Sequence, residues 1–323
     1  MIELRAVRKS YGSAIALDGL SMHVPEKAVY GLVGPAGSGK SSVMELLAGL
    51  SGPDEGEILV DGLREGSERR RWKRRIGYMP DFSGLYPEMR LSEYLEFFSA
   101  CYDIPRARAR QRIGILLDQV GLRGKEFQRL DGLSRGMRQK LSLARALLHD
   151  PKILVLDEPL KDLDPGNRYE LRQILSELSS EGKTILLSSE MLTSISEICT
   201  DIGIIERGRM ALEGKLSEVL RKIDASNPIL ILVEGSITKT MQILKQDPNV
   251  KSIGIREQEL MILYEGSEGE EAELLRRLVS SGIMVRSFHR ERGNLELLFL
   301  QLTGELRERR ITGHEAESDL SKG

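Results

Sequence analysis

Residues 34–41 read Gly-Pro-Ala-Gly-Ser-Gly-Lys-Ser, the spacing G-x-x-x-x-G-K-[S/T] at which a glycine-rich loop can wrap a phosphate. Gly34, Gly37 and Gly39 let consecutive main-chain N–H groups turn inward, and a helix beginning near Lys40 adds the positive end of its dipole. The run Gly34, Pro35, Ala36, Gly37, Ser38, Gly39, Lys40, Ser41 and Ser42 is therefore a candidate phosphate cradle. Lys40 is the ammonium that would reach the terminal phosphates, and Ser41 the hydroxyl that would sit on Mg²⁺. A second candidate lies at Ile153-Leu154-Val155-Leu156-Asp157-Glu158-Pro159, where four apolar residues end in two adjacent carboxylates. Asp157, at a strand's C-terminal end, suits the hydration shell of Mg²⁺; Glu158 suits a water that must be oriented or deprotonated. The competing reading, a bare glycine turn and an ordinary strand exit before Pro159, explains each run alone but not the two together.

Both runs sit where elements can aim them. An apolar strand over 28–33 leads into the loop and helical spacing over 42–48 leaves it, while 153–156 has the composition of a buried strand. Between them Leu133-Ser134-Arg135-Gly136-Met137 opens a helix that continues to His149 and stops before Asp150-Pro151. With QKLSLARALLHDPKILVLDEP following it, this stretch resembles the ATP-binding subunits of ABC transporters, whose LSGGQ signature stands here as LSRGM. The resemblance covers residues 1 to about 220. It implies ATP and Mg²⁺ as ligands and a head-to-tail dimer with a second ATP-binding subunit, identical or not. In such a dimer Ser134 and the N–H of Gly136 would cap the γ-phosphate held by the partner. It also places Tyr11 where an aromatic stacks on adenine, with a core tyrosine as the competing role. Asp164 falls at the aspartate of the loop after the acidic strand; the plainer role is an N-cap for a helix from Pro165, and both can hold at once.

The departures from that pattern bear on activity. Asp81, after Ile76-Gly77-Tyr78-Met79-Pro80, stands where the family has Gln, and its oxygen can still serve Mg²⁺. Glu190, after Thr184-Ile185-Leu186-Leu187-Ser188-Ser189, stands where the family has a γ-phosphate-contacting His. An ionised carboxylate has no proton to donate, and at about 5 Å and an effective dielectric near 20 it would repel a phosphate charge by about 3 kcal/mol. Lys161 occupies a position that is usually a small serine, and a Lys161–Glu190 pairing would neutralise that charge; the alternative is two unrelated, solvated side chains. Arg135 faces either solvent or phosphate. The expected catalytic set is thus Glu158, Lys40, Asp81 and Glu190, and the expected metal set Ser41, Asp81 and Asp157.

Composition frames these motifs. The chain has 323 residues, enough for more than one domain, and 47 basic against 49 acidic side chains, a net charge of −2 that speaks against a nucleic-acid surface over the whole molecule. Cys101 and Cys199 are far apart and suggest neither a disulfide framework nor a zinc site. No apolar run approaches the roughly 18 residues of a spanning helix, so the membrane-spanning part of the transporter that the resemblance implies would be a separately encoded integral membrane permease. The protein would then lie in the cytoplasm, peripheral on the inner face of the membrane. Arg69-Arg70-Arg71-Trp72-Lys73-Arg74-Arg75 reads as a solvated helix face.

Further helical patterns fill 91–102 and 106–120, with Leu91, Tyr94, Leu95 and Phe98 at core spacing. By the resemblance, Phe82, Leu85 and Tyr86 would anchor a permease helix, with ordinary core packing as the alternative. A helix through Ile195 and Ile198, a strand over 202–205 and a bridging helix over 216–222 close this part. From 228 the order strand 229–234, helix 237–246, strands 250–256 and 260–264, helix 269–280 and strand 283–289 is βαββαβ, a ferredoxin-like arrangement.

A last amphipathic helix over Leu295, Leu297, Leu298, Phe299 and Leu302 resembles the end of the accessory domain of bacterial ABC exporter ATPases; His289 reads as a surface residue. The expected organisation is an α/β P-loop NTPase domain of ABC type over 1–222, with a helical subdomain over about 82–150. An accessory α+β domain over 228–304 and a charged, disordered tail over 305–323 follow. Three functions fit: an ATPase driving export, a weakly hydrolytic regulatory subunit marked by Asp81 and Glu190, and, more distantly, an ABC ATPase unconnected with transport. Against the last stand the single ATPase unit and the absence of a long coiled-coil insertion.

Overall fold

The computed structural model describes residues 1–66, 69–81, 84, 86–220, 228–256 and 259–290. The chain divides into two compact units, Met1–Leu216 and Ser217–Gly323. The first begins with β1 (Ile2–Tyr11) and β2 (Ala14–Val24), antiparallel neighbours, and β3 (Val29–Val33) follows. α1 (Lys40–Leu47) leads to β4 (Glu55–Val60) and the short β5 (Leu63–Arg64), then α2 (Arg69–Arg75) and β6 (Ile76–Met79). Three helices come next, α3 (Leu91–Cys101), α4 (Arg106–Gln119) and α5 (Arg135–Leu147). β7 (Ile153–Leu156), α6 (Pro165–Ser180), β8 (Thr184–Ser189), α7 (Leu192–Ile195), β9 (Asp201–Glu206) and β10 (Arg209–Lys215) complete it.

Two sheets result, ordered β2-β1-β4-β5 and β10-β9-β3-β8-β7-β6. In the second, β9, β3, β8, β7 and β6 run parallel, and β3, β7 and β8 are buried at every position, as strands covered on both faces must be. Val43, Met44, Leu46 and Leu47 of α1 share one core with Ile2, Leu4 and Leu20 of the first sheet and Val155 and Leu186 of the second. Exposed Ser41 and half-buried Ser42 and Glu45 take the other side, so α1 is amphipathic and sets one broad apolar face into this core. The basic run forms α2 with only Trp72 buried; its indole N–H donates to the Leu47 carbonyl at 2.7 Å, so the solvated face is real and one aromatic pins it.

Two expectations need correction, and one element is additional. The helix expected through Ile198 ends at Ile195: the Ile198 N–H bonds the Ile195 carbonyl in a tighter turn, and the Thr200 N–H leaves the helical pattern for the Val29 carbonyl of β3 as the chain enters β9. Phe98 is half-buried rather than core: the Arg145 guanidinium lies over its ring at 5.2 Å while also donating to the Tyr94 hydroxyl. The edge strand β10 was not expected at all.

The second unit contains β11 (Ile229–Glu234), α8 (Ile237–Lys245), β12 (Val250–Arg256), β13 (Glu259–Tyr264), α9 (Glu268–Ser280) and β14 (Met284–Arg290). Its sheet is antiparallel with order β14-β11-β13-β12, the ferredoxin-like arrangement. Ile229, Ile231, Leu260, Ile262 and Tyr264 pack under Leu244, Leu274 and Leu278 of the two helices. Ser236 and Ser267 cap those helices by accepting the N–H of Lys239 and Glu270, and Glu270 returns a bond to the Ser267 N–H. His289 is exposed. The expected helix over 295–302, the tail over 305–323, Phe82, Leu85 and the last two positions of the bridging helix lie outside the described residues.

Candidate functional site

Parallel strands place their C-terminal ends on one edge of a sheet, and here four of them deliver the chemistry expected from the sequence. β3 ends at the phosphate loop, β6 at Asp81, β7 at Asp157, Glu158 and Lys161, and β8 at Ser188, Ser189 and Glu190. The Gly34 N–H donates to the Ser189 carbonyl at 3.2 Å, tying the loop's start to β8. A Cβ at Gly34 would run into the Ile205 carbonyl and Ser38 Oγ. Gly39 turns the chain into α1 with φ +107°, where a Cβ would come within 2.6 Å of the Ala16 carbonyl.

Lys40 is 6% exposed and folds back over the loop, donating to the carbonyls of Gly34 (2.7 Å) and Pro35 (3.0 Å). Burial holds its ammonium below the usual lysine range, opposed by the Glu158 carboxylate at 3.8 Å. No side chain caps the first turn of α1 and no acidic residue sits in it, so its free N–H groups and dipole suit an anion. Ser38 Oγ and Glu158 Oε1 are buried without a hydrogen-bond partner. Ala36, Gly37 and Ser41 are exposed on the rim, and Pro35 and Ser42 half-buried. A cradle too tight for a Cβ, an ammonium whose hydrogen bonds go only to carbonyls and two orphaned oxygens fit a phosphate chain.

Asp157 accepts a bond from Ser188 Oγ at 2.6 Å, and the same Oγ accepts the Glu158 N–H at 2.7 Å. Ser188 thus holds the Asp157 carboxylate and the Glu158 backbone together. The sequence reading missed it, although a polar residue ending an otherwise apolar strand beside the acidic pair was the available signal. Burial raises the Asp157 carboxyl above its usual range, against the hydroxyls of Ser188 and Ser41; burial raises Glu158 likewise, against Lys40. Glu158 holds φ +48°, a strained backbone that aims its side chain back toward the loop. The Ser41 hydroxyl and the Asp157 carboxylate are oxygen donors of the kind that would hold a magnesium ion; among the described residues no three His, Cys, Asp or Glu side chains are grouped so as to hold a metal by themselves.

Asp81 and Glu190 both face Lys161, whose Nζ is 3.6 Å from Asp81 Oδ2 and 3.7 Å from Glu190 Oε1. The expected Lys161–Glu190 pair is therefore formed within one chain, with Asp81 as an unexpected second partner. The Asp81 carboxylate holds the Lys161 ammonium above its usual range, and Glu190 and Glu158 add to that. Tyr11 is 46% exposed, not a core tyrosine; its hydroxyl donates to Glu45 of α1 and Lys9 lies over the ring at 5.5 Å. Ser134 and Gly136 form a second cluster at the start of α5, where Ser134 accepts the Met137 N–H and Gly136 is covered by Asn167. Asp164 caps α6 by accepting the Asn167 N–H, a role compatible with its place in the loop after the acidic strand. Arg135 pairs with Asp162 at 3.0 Å.

A family profile described as ABC transporter matches residues 17–161. The Nod factor export ATP-binding protein I of Paraburkholderia xenovorans (strain LB400) is 33% identical over 94% of this chain and 97% of its own length. The linearmycin resistance ATP-binding protein LnrL of Bacillus subtilis (strain 168) is 29% identical over 94% of this chain and 98% of its own. Among solved structures, a dimeric post-hydrolysis state of the ATP-binding cassette MJ0796 bound to ADP and Pi superposes with a TM-score of 0.61 at 26% identity, covering 67% of this chain and 99% of that one. Motif, sheet topology and near-full-length similarity converge, and the chain belongs to the ABC transporter family as one of its ATP-binding proteins.

Proposed function

We propose that this chain is the ATP-binding subunit of an exporter, using ATP binding and Mg²⁺-dependent hydrolysis at a dimer interface to drive a separately encoded membrane permease. The observation that carries the reading is Lys40 folded onto the Gly34 and Pro35 carbonyls, 3.8 Å from Glu158 and beside Asp157. When nucleotide enters, those carbonyl bonds exchange for phosphate oxygens. Ser41 and Asp157, with Asp81 nearby, would hold the magnesium ion, which would supply positive charge to offset that of the phosphates. Glu158 Oε1 accepts a proton from the attacking water, whose oxygen bonds the γ-phosphorus as the bond to the ADP oxygen breaks. Tyr11 offers an exposed ring to adenine, and Ser134 with the Gly136 N–H meets the nucleotide of the second subunit, identical or not.

Residues 1–222 form the ATP-binding domain in this reading, with the helical part over 82–150 docking the permease on the inner face of the membrane, and 228–304 an accessory domain. Among the described residues no helix is long and apolar enough to cross a membrane, which leaves the channel to the permease. Calorimetry with Mg²⁺ and ATP should detect binding by the full chain and none by Lys40→Ala. Steady-state turnover should disappear in Glu158→Gln.

One observation favours a second reading: Asp81 and Glu190 are engaged by Lys161, so a feebly hydrolytic subunit gating a partner is also consistent. A Glu190→His variant whose rate rises many-fold from near background would decide for it.

A further inference from the structure

The mouth of the nucleotide site gathers four carboxylates, Asp81, Asp157, Glu158 and Glu190, around two ammonium groups, Lys40 and Lys161. The balance is negative before any phosphate arrives, and a triphosphate adds further negative charge to a partly buried, poorly screened site. Lys40 is committed to the loop carbonyls and Glu158. Lys161 is the ammonium that stands between Asp81 and Glu190, at 3.6 and 3.7 Å.

Its position is not that of a loose surface lysine. β6, β7 and β8 are adjacent and parallel, so Asp81, Lys161 and Glu190 leave the same sheet edge side by side. The Lys161 N–H donates to the Glu158 carbonyl at 3.1 Å, so the turn that aims Glu158 also sets Lys161. On the other side Asp162, at φ +52°, is tied to Arg135 of α5. Lys161, Glu158, Ser188 and Glu190 line a common cavity of ≈ 170 Å³.

We propose that Lys161 is a positioning residue of the nucleotide site: by bridging Asp81 and Glu190 it draws both carboxylates onto itself and cancels the repulsion they would exert on bound phosphate. This inference rests on the ATP-binding reading above. The three side chains are roughly one-third to two-fifths exposed, and ion pairs so exposed contribute little to folding. Losing Lys161 should therefore weaken nucleotide binding while leaving stability alone, a combination that a merely structural lysine does not produce.

Two measurements on the full chain test it. Carbodiimide treatment without nucleotide, read by peptide mass spectrometry, should couple Lys161 to Asp81 or Glu190; absence of both links overturns the bridge. Calorimetry with Mg²⁺ and a non-hydrolysable ATP analogue should show Lys161→Ser binding about tenfold more weakly, about 1.4 kcal/mol, with an unchanged melting temperature. Lys161→Arg should retain affinity, and Lys161→Ser with Glu190→Gln should regain most of it. Equal affinity of Lys161→Ser and wild type, or no recovery in the double variant, overturns the proposal while the ATP-binding reading stands. A wild type that binds no better than Lys40→Ala instead removes that reading, and this proposal with it.

Discussion

Glu158 carries the sharpest contrast between what the fold tolerates and what the chemistry needs. Its Oε1 is buried without a hydrogen bond, and burial raises its pKa above the ordinary glutamate value. A carboxyl whose pKa is raised on folding binds its proton more tightly in the native state, so its ionised form costs stability above the raised value. That cost fades as pH falls through the raised value and is gone below the unfolded one. Glu158→Gln should consequently melt higher than wild type at neutral pH, by about 1 kcal/mol of stability, with the difference shrinking toward about pH 4. Thermal scans of the nucleotide-free protein across that range check the sign; a variant less stable at neutral pH would mean that the lost partner of Lys40 outweighs the relieved carboxylate. Turnover has the opposite dependence, since a base must be ionised, and should fall as pH drops through the same raised pKa. Ser188 gives a second handle. Ser188→Ala removes the bond to Asp157 and strands the Glu158 N–H, so kcat should fall about tenfold or more with the phosphate loop untouched, measured as kcat against KM for Mg²⁺-ATP.

At the level of elements, α2 shows how one buried residue fixes a helix that is otherwise all charge. Trp72 is 1% exposed, and its N–H satisfies the Leu47 carbonyl at the end of α1. Trp72→Ala should cost about 3–5 kcal/mol by urea titration followed with circular dichroism, whereas Arg70→Ala, on the exposed face, should move it by less than about 0.5 kcal/mol. The same contrast explains what could be read from the sequence. Central elements announce themselves by composition: 153–156 and 229–234 are apolar runs whose limits match the strands observed, and the loop–helix junction at Lys40 follows from the glycines. β10 was illegible because it is an edge strand, Arg-Met-Ala-Leu-Glu-Gly-Lys, with Met210 and Leu212 only half-buried and no run to mark it. The helix limit near 198 was illegible because a long-range bond, from the Thr200 N–H to the Val29 carbonyl of β3, and not side-chain period, draws the chain into the sheet there. In the site, the motif residues were legible since their spacing is local. Asp81 as a partner of Lys161 was not, because only the β8-β7-β6 order brings those strand ends together.

On the scale of the whole molecule, each unit owns a core: one centred on α1 between two sheets, the other under α8 and α9. Separate cores mean that unfolding need not be a single transition, and this chain carries its own reporter, because Trp72 is its only tryptophan and belongs to the first unit. Leu274 is fully buried in the second core. Leu274→Ala leaves a cavity there and should destabilise that unit by about 2–5 kcal/mol. In urea, the Trp72 fluorescence midpoint should stay at its wild-type value while part of the circular-dichroism change moves to lower denaturant. A Trp72 midpoint that falls together with the circular-dichroism signal would instead make the two units one cooperative body, and a disturbance in the second would then reach the nucleotide site. Mg²⁺ and ATP sharpen the comparison: a ligand bound by the first unit alone raises only the fluorescence midpoint, by an amount set by its concentration relative to Kd, and leaves the transition displaced by Leu274→Ala where it was.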